Sequence, residues 1–206
     1  MMPSKKYFLY PFLSVFTVAL ISWAFLDHGD VVLFLNANRT PFLDFFFRYW
    51  THLGDGIFVG ILFVILLIWK WKISIVFLAA SLLQTLVSQG LKRLVFKDIP
   101  RPSRYFDDEV TLNFIEGVKH HGSFSFPSGH TITAFATATF FAVLLKSNKS
   151  WSLALLISAI LVAISRIYLL QHFLRDVLAG AFLGVLVTLV AFKIFNGFIK
   201  NERILE

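Results

Sequence analysis

Cysteine is absent from the chain, and charge is scarce. The first absence excludes disulfides and thiolate metal sites, and it removes any reading of redox compartment. Charged residues fill only 15% of 206 positions, against about 25% in an ordinary soluble domain. Too little polar surface remains to keep such a chain in water. Proline is sparse too, with six in all, and none lies inside the apolar runs that follow Gly56. There is no internal repeat and no low-complexity linker to divide the chain.

What is present is apolar. Hydrophobic residues reach 57%, mean hydropathy is +0.75 and there are 25 Phe, where a soluble domain is about 45–50% apolar. We read residues 1–206 as one integral membrane domain. The net charge of +7 fits cationic loops meeting anionic lipid headgroups, and nucleic acid is not expected as a partner.

A helix crossing the hydrocarbon needs about 20 apolar residues. Six stretches qualify, at about 7–26, 57–71, 73–96, 128–145, 151–170 and 177–199. The expected fold is therefore all-α, a bundle of six transmembrane helices. Trp69 and Trp71 suit the aromatic belt of a membrane interface. The first stretch follows Lys5 and Lys6 like a signal peptide, but it is long for one. Asp27-His28-Gly29-Asp30 supplies no small-residue cleavage site, so it reads as a retained helix. Thr40-Pro41 has the form of an N-cap followed by Pro in the first turn, and FLDFFFRYW after it reads as a short interfacial helix.

Six spans put both termini on one side. Nine of the 19 Lys and Arg fall there: Lys5, Lys6, Lys70, Lys72, Lys146, Lys149, Lys193, Lys200 and Arg203. The other ten are spread over longer, acid-containing segments. Cations concentrated in short loops mark the cytoplasmic face. The termini are thus expected inside, with the polar clusters facing the periplasm or exterior of a bacterial inner membrane.

Those clusters are three: Gly90 to Pro102 at the end of the third stretch, FPSGH opening the fourth, and Ser165 to Asp176 between the fifth and sixth. Alternating spans bring all three to one face. His172 and Asp176, four apart, would share a helix face, the carboxylate fixing the imidazole tautomer and leaving the other nitrogen as nucleophile or base. Ser128 would cap a helix whose free N–H groups attract an anion, and Gly129 would let that anion approach. Arg101, Arg166 and a nearby lysine suit phosphate. A zinc site is disfavoured: His130 and His172 lack a third ligand and the surrounding cations oppose a divalent ion. We expect no metal and no cofactor. His28, His52, His120 and His121 read as interfacial residues.

Together these residues resemble the type 2 phosphatidic acid phosphatase family, which shares its site with vanadium haloperoxidases. The family pattern is a Lys before Arg-Pro, then Pro-Ser-Gly-His, then Ser-Arg with His and Asp at fixed distances. Here these are Arg101-Pro102, Pro127–His130, Ser165-Arg166, His172 and Asp176, and Val177-Leu178-Ala179-Gly180 continues the likeness. The family lysine would fall at Leu94. Lys92 serves if two residues are inserted within 96–100, and Lys97 is the other candidate. Phe173-Leu174-Arg175 also departs from the usual aromatic-Pro-small sequence.

The resemblance implies that His172 attacks phosphorus, Asp176 orients it, and His130 protonates the leaving oxygen and then activates water. Lys92, Arg101, Ser128, Gly129 and Arg166 would bind phosphoryl oxygens. It implies a lipid phosphate phosphatase, with undecaprenyl diphosphate as first choice. Phosphatidylglycerol phosphate, phosphatidic acid and lipid A are the alternatives, and a soluble phosphate ester is a further rival. A lipid transporter, the reading from another class, would call for helices broken by Gly or Pro in mid-membrane.

Overall fold

The computed structural model describes residues 3–106, 110–144 and 149–199. Lys146, Lys200 and Arg203, three of the cations used above for orientation, lie outside the described residues. So does position 145, the end of the fourth expected stretch.

Among the described residues the structure is all helical. The helices are α1 (Pro3–Phe25), α2 (Asp30–Ala37), α3 (Pro41–Trp50), α4 (Gly56–Trp69), α5 (Trp71–Gly90), α6 (Pro102–Tyr105), α7 (Gly129–Leu144), α8 (Lys149–Tyr168), α9 (Leu174–Ile194) and α10 (Asn196–Ile199). Thr51–Gly54 adds a 3₁₀ turn and Leu91–Val95 a π turn. Trp71 opens α5 rather than closing α4, because Lys70 alone, with extended backbone (φ −151°), turns the chain between them.

Length and composition alone mark fewer spans than the six expected. Among the described residues four helices are long and apolar enough to cross a membrane: Lys6–Phe25, Trp71–Val95, Lys149–Tyr168 and Leu174–Ile194. The α4 segment qualifies only together with Pro41–Gly54, from which it is bent by 53°. α7, 16 residues long, reaches about 24 Å at 1.5 Å per residue, short of the ~30 Å hydrocarbon core. Its apolar run is real, but most of that run is buried in protein.

α7 is the axis of the bundle. It packs against α9, α8 and α5, and eleven of its side chains are buried, mostly Ala, Thr and Phe. Close packing on α9 depends on two glycines one helical turn apart. A Cβ on Gly180 would lie 2.8 Å from the Ser128 carbonyl oxygen, and one on Gly184 2.4 Å from that of Ile132. Small residues spaced four apart are what lets two membrane helices touch backbone to backbone. The seam places the first turns of α7 and α9 side by side, and Ser128 N–H donates to the Asp176 carbonyl at 3.0 Å.

α3 is amphipathic as expected. Thr40 Oγ1 accepts from the Leu43 amide at 3.3 Å and Pro41 occupies the first turn. Phe47 is buried against Tyr168, while Phe42, Phe45 and Tyr49 are exposed. Asp44 accepts from the Tyr168 hydroxyl at 2.5 Å and pairs with Arg39 at 2.8 Å, tying α3 to the end of α8. The described chain ends where α5 begins, with Phe198 packed on Trp71. That is the end of the bundle opposite the polar clusters.

Candidate active site

α5 changes character at its end. The Phe96 amide reaches back to the Leu91 carbonyl at 2.8 Å, closing the π turn Leu91–Val95. Such a turn admits an extra residue and rotates the side chains around it. Lys92 consequently points inward, 8% exposed, and its Nζ donates to the Phe124 carbonyl at 2.9 Å. Leu94 points out, 77% exposed. The register shift expected within 96–100 is thus already under way upstream, and Asp98, with φ 58°, turns the chain after it.

Arg101 stands in extended conformation before Pro102, its amide bonded to the Gly122 carbonyl. Its Nε donates to the Ser123 carbonyl at 3.0 Å and its Nη1 to Gln171 Oε1 at 3.0 Å. Burial lowers its pKa, and Asp176 acts against that shift.

In FPSGH, Ser128 is completely buried and directly precedes α7. Its Oγ accepts from the Thr131 hydroxyl at 2.8 Å rather than from a backbone amide as expected. Gly129 faces open space: the nearest atom to a Cβ built there is Ser88 Oγ, at 3.8 Å. His130 follows, and Gly54 lies under its carbonyl so closely that a Cβ would be 2.6 Å away.

The end of α8 explains the spacing from Arg166 to His172. Leu170 takes a left-handed conformation, φ 56°, and the Arg166 carbonyl then accepts from both the Gln171 and His172 amides, at 2.9 and 3.1 Å. The catch sets His172 at a fixed place beside Arg166. The Arg166 Nη1 donates to Thr51 Oγ1 at 2.8 Å. Its Nε is buried with no partner among the described residues, a donor left over for an anion.

His172 and Asp176 do meet, though not on a helix face. α9 begins only at Leu174. The carboxylate folds back over the helix start, accepting from the Phe173 amide at 3.0 Å, and Oδ2 lies 3.4 Å from His172 Nδ1. Burial pushes the His172 imidazole down to about 3, with Asp176 pulling the other way. The ring is therefore neutral near pH 7 and keeps a lone pair.

One cavity of about 620 Å³ gathers Lys92, Arg101, Gly129, His130, Arg166 and His172 on its walls. Ser128 and Asp176 stand behind that wall, both 0% exposed. No group of three or more His, Asp or Glu among the described residues is arranged to hold a metal ion. The model of the family described as "PAP2 superfamily" matches residues 69–200, which carry every one of these side chains. The chain belongs to the PAP2 superfamily.

The relatives agree in kind. A lipid A 4'-phosphatase of Bacteroides thetaiotaomicron is 28% identical over 163 residues, 75% of this chain and 71% of that one. The crystal structure of Aquifex aeolicus LpxE is similar with a TM-score of 0.70 and 29% identity, covering 81% of this chain and 94% of that one. A PAP2-type phosphatidylglycerolphosphate phosphatase from Bacillus subtilis gives 0.68 and 27%, covering 98% of this chain and all of that one. This PAP2 chain is a phosphoric ester hydrolase.

The PAP2 cavity also holds residues outside the three motifs. His52 and His121, expected at the interface, line it together with Thr51 and Lys119. His52 Nδ1 pairs with Asp55 Oδ2 at 2.8 Å, and the run THLGDG was the available signal. Ser125 belongs to none of the motifs. It is 0% exposed, its hydroxyl donates to Asp176 Oδ2 at 2.5 Å, and it sits 3.5 Å from His172 Nδ1.

Proposed function

We propose that this PAP2 enzyme removes a terminal phosphate from a membrane lipid through a phosphohistidine at His172. The observation that carries the reading is the neutral, buried His172 held by Asp176 on the wall of a cation-lined cavity. That cavity lies at the end of a bundle whose flanks are apolar and exposed. A lipid would reach it sideways, with its headgroup in the cavity and its chains among Leu86, Leu94 and Val95, which are exposed nearby.

In this mechanism His172 attacks phosphorus and the P–O bond to the lipid breaks. His130 donates a proton to the departing oxygen, then takes one from the water that cleaves the P–N bond. Asp176 holds the ring and balances the imidazolium charge. Acid–base assistance of this kind is worth ~10²–10⁴-fold. Lys92, Arg101, Arg166 and the Gly129 amide would hold the equatorial oxygens, where positive groups stabilise charge in the transition state. The Ser128 hydroxyl, accepting from Thr131, would support the first turn of α7 from behind the cavity wall.

The single domain would cross the membrane six times. α7 is short, but α5, α8 and α9 cover it, and a helix clothed in protein need not match the bilayer thickness by itself. Both termini would be cytoplasmic and the cavity would open on the outer face. Likeness to lipid A and phosphatidylglycerolphosphate phosphatases favours those substrates, with undecaprenyl diphosphate and phosphatidic acid beside them.

The test is turnover of purified protein in nanodiscs against these four lipids and a soluble sugar phosphate. We expect release of phosphate from lipids, unaffected by excess EDTA and inhibited by vanadate. Preference for the soluble ester, or loss on chelation restored by one divalent metal, would overturn the reading.

A further inference from the structure

A second cavity, of about 450 Å³, adjoins the first and shares Gln89, Lys92 and Arg101 with it. Its other polar walls are Arg93, Lys97 and Asp98. His130, Arg166 and His172 do not line it, so it is not the place of reaction. We propose that this cavity is a second anion subsite, taking a phosphate-class group other than the one being transferred.

Charge is the first reason. Four cations converge on the cavity against one carboxylate, and like charges facing a partly enclosed space repel unless an anion joins them. Open valence is the second. Lys92 Nζ has three protons, and the described hydrogen bond to Phe124 uses one. Arg101 spends Nε and Nη1 on Ser123 and Gln171, which leaves Nη2 without a partner among the described residues. Arg93 spends only Nε, on Gln89 at 3.2 Å, and no described hydrogen bond or ion pair engages Lys97.

Backbone geometry is the third reason. The π turn directs Lys92 inward, and left-handed Asp98 folds the chain so that Lys97 rejoins the same concavity. Lys92 and Arg101 then stand as a common wall, with the transferring phosphoryl group on one side. The other side suits a second phosphate, for which guanidinium and ammonium donors are the matching chemistry.

Two sources share that chemistry. One is a second anionic group on the substrate, such as the phosphodiester of phosphatidylglycerol phosphate; the other is the inorganic phosphate released by turnover. The first source rests on the lipid phosphatase reading above; binding of free phosphate does not.

The experiment compares wild type with the double variant Arg93→Ala/Lys97→Ala in nanodiscs of zwitterionic lipid. Arg93→Lys/Lys97→Arg serves as the charge-keeping control. Calorimetric titration with inorganic phosphate should give two sites per chain in wild type and in the control, and one in the double alanine variant. Equal stoichiometry in all three overturns the proposal, whether or not the protein is active. Kinetics then separate the sources, using phosphatidylglycerol phosphate and phosphatidic acid with the same acyl chains. If the substrate fills the subsite, the variant's kcat/KM on the first falls ~10-fold or more, the scale of lost charge-assisted contacts, and on the second it holds. If released phosphate fills it, both lipids behave as in wild type and inhibition by added phosphate weakens by a similar factor. Wild type inactive on both lipids would refute the lipid reading alone and leave the phosphate stoichiometry to decide the subsite.

Discussion

α7 and α1 are both apolar helices, yet one is almost all interior and the other almost all surface. Eleven of the 16 residues of α7 are buried. In α1 only Phe8 and Phe12 are buried among the described side chains, and Leu13, Val18, Ile21 and Phe25 stand exposed. Hydropathy does not separate them. Residue size does: α7 is built of Ala and Thr and faces Gly180 and Gly184, whereas α1 carries large side chains all round. In a bilayer, large apolar groups are equally content against lipid, while small ones mark where backbones meet. The proposed reacting groups hang from the small-residue seam, at the adjoining ends of α7, α8 and α9. α1 touches this core through contacts such as Phe12 on Phe135, ring centroids 5.7 Å apart.

The sharpest way to break the comparison is at the seam's catalytic end. His172→Ala should abolish turnover while the protein stays folded, because in the proposed mechanism the phosphoryl group passes through His172. Acid quenching during turnover of ³²P-labelled substrate should leave label on wild type and none on the variant. Substantial activity in a folded His172→Ala protein would detach the chemistry from the seam. Next comes the seam itself. Gly184→Val drives a branched side chain into the Ile132 carbonyl, and overpacking of this kind costs ~1–3 kcal/mol or more. Val18→Ala, on the exposed face of α1, should stay within about 0.5 kcal/mol, as surface changes do. Unfolding temperatures of the two variants, measured in the same nanodiscs, test the contrast, and equal losses would erase it.

Much of this was legible in the residues, for physical reasons. Hydropathy located every main helix because each must survive contact with hydrocarbon. Counting alternating spans put Lys92, Arg101, His130, Arg166 and His172 on one face, since helix direction alone decides that. Length alone does not decide α7 and α4, where burial in protein and a 53° bend add to what the residues show. The His172–Asp176 pairing was foreseen for the wrong reason: spacing of four suggested a helix face, but a helix-start turn creates the contact. Ser125 and His52 lay outside any periodic pattern. Their place depends on loops meeting across more than 45 residues of sequence, as Ser125 meets His172, and no local rule encodes that.

The π turn offers a finer contrast inside one segment. Lys92 and Lys97 are both cations near the cavity, but Lys92 is buried at the wall shared by both cavities and Lys97 is exposed in the outer one. A lost charge-assisted hydrogen bond costs about 1.5–3 kcal/mol, or roughly 10–150-fold in rate at about 1.4 kcal/mol per decade. On phosphatidic acid, kcat/KM of Lys92→Ala should fall on that scale, and that of Lys97→Ala by less than about threefold, as for an exposed cation. The reverse ranking would move the phosphoryl-binding lysine to Lys97.

A loss at the low end of the Lys92 range is expected at Ser125, which joins the loop before α7 to the start of α9. Asp176 Oδ2 is shared by the Ser125 hydroxyl, the Phe173 amide and His172 Nδ1, at 2.5, 3.0 and 3.4 Å. The first two contacts fix the oxygen and the third is the one that orients the nucleophile. Ser125→Ala removes one anchor and leaves the Phe173 amide, so Asp176 stays charged and near but less constrained. A lost hydrogen bond to a charged group is worth about 1.5 kcal/mol at the low end, or roughly tenfold. That factor should fall on the rate of phosphoenzyme formation, measured by rapid quench, with KM and unfolding temperature nearly unchanged. A merely structural serine would show the opposite pattern, a lower unfolding temperature with phosphorylation intact, and that outcome would remove Ser125 from the orienting network.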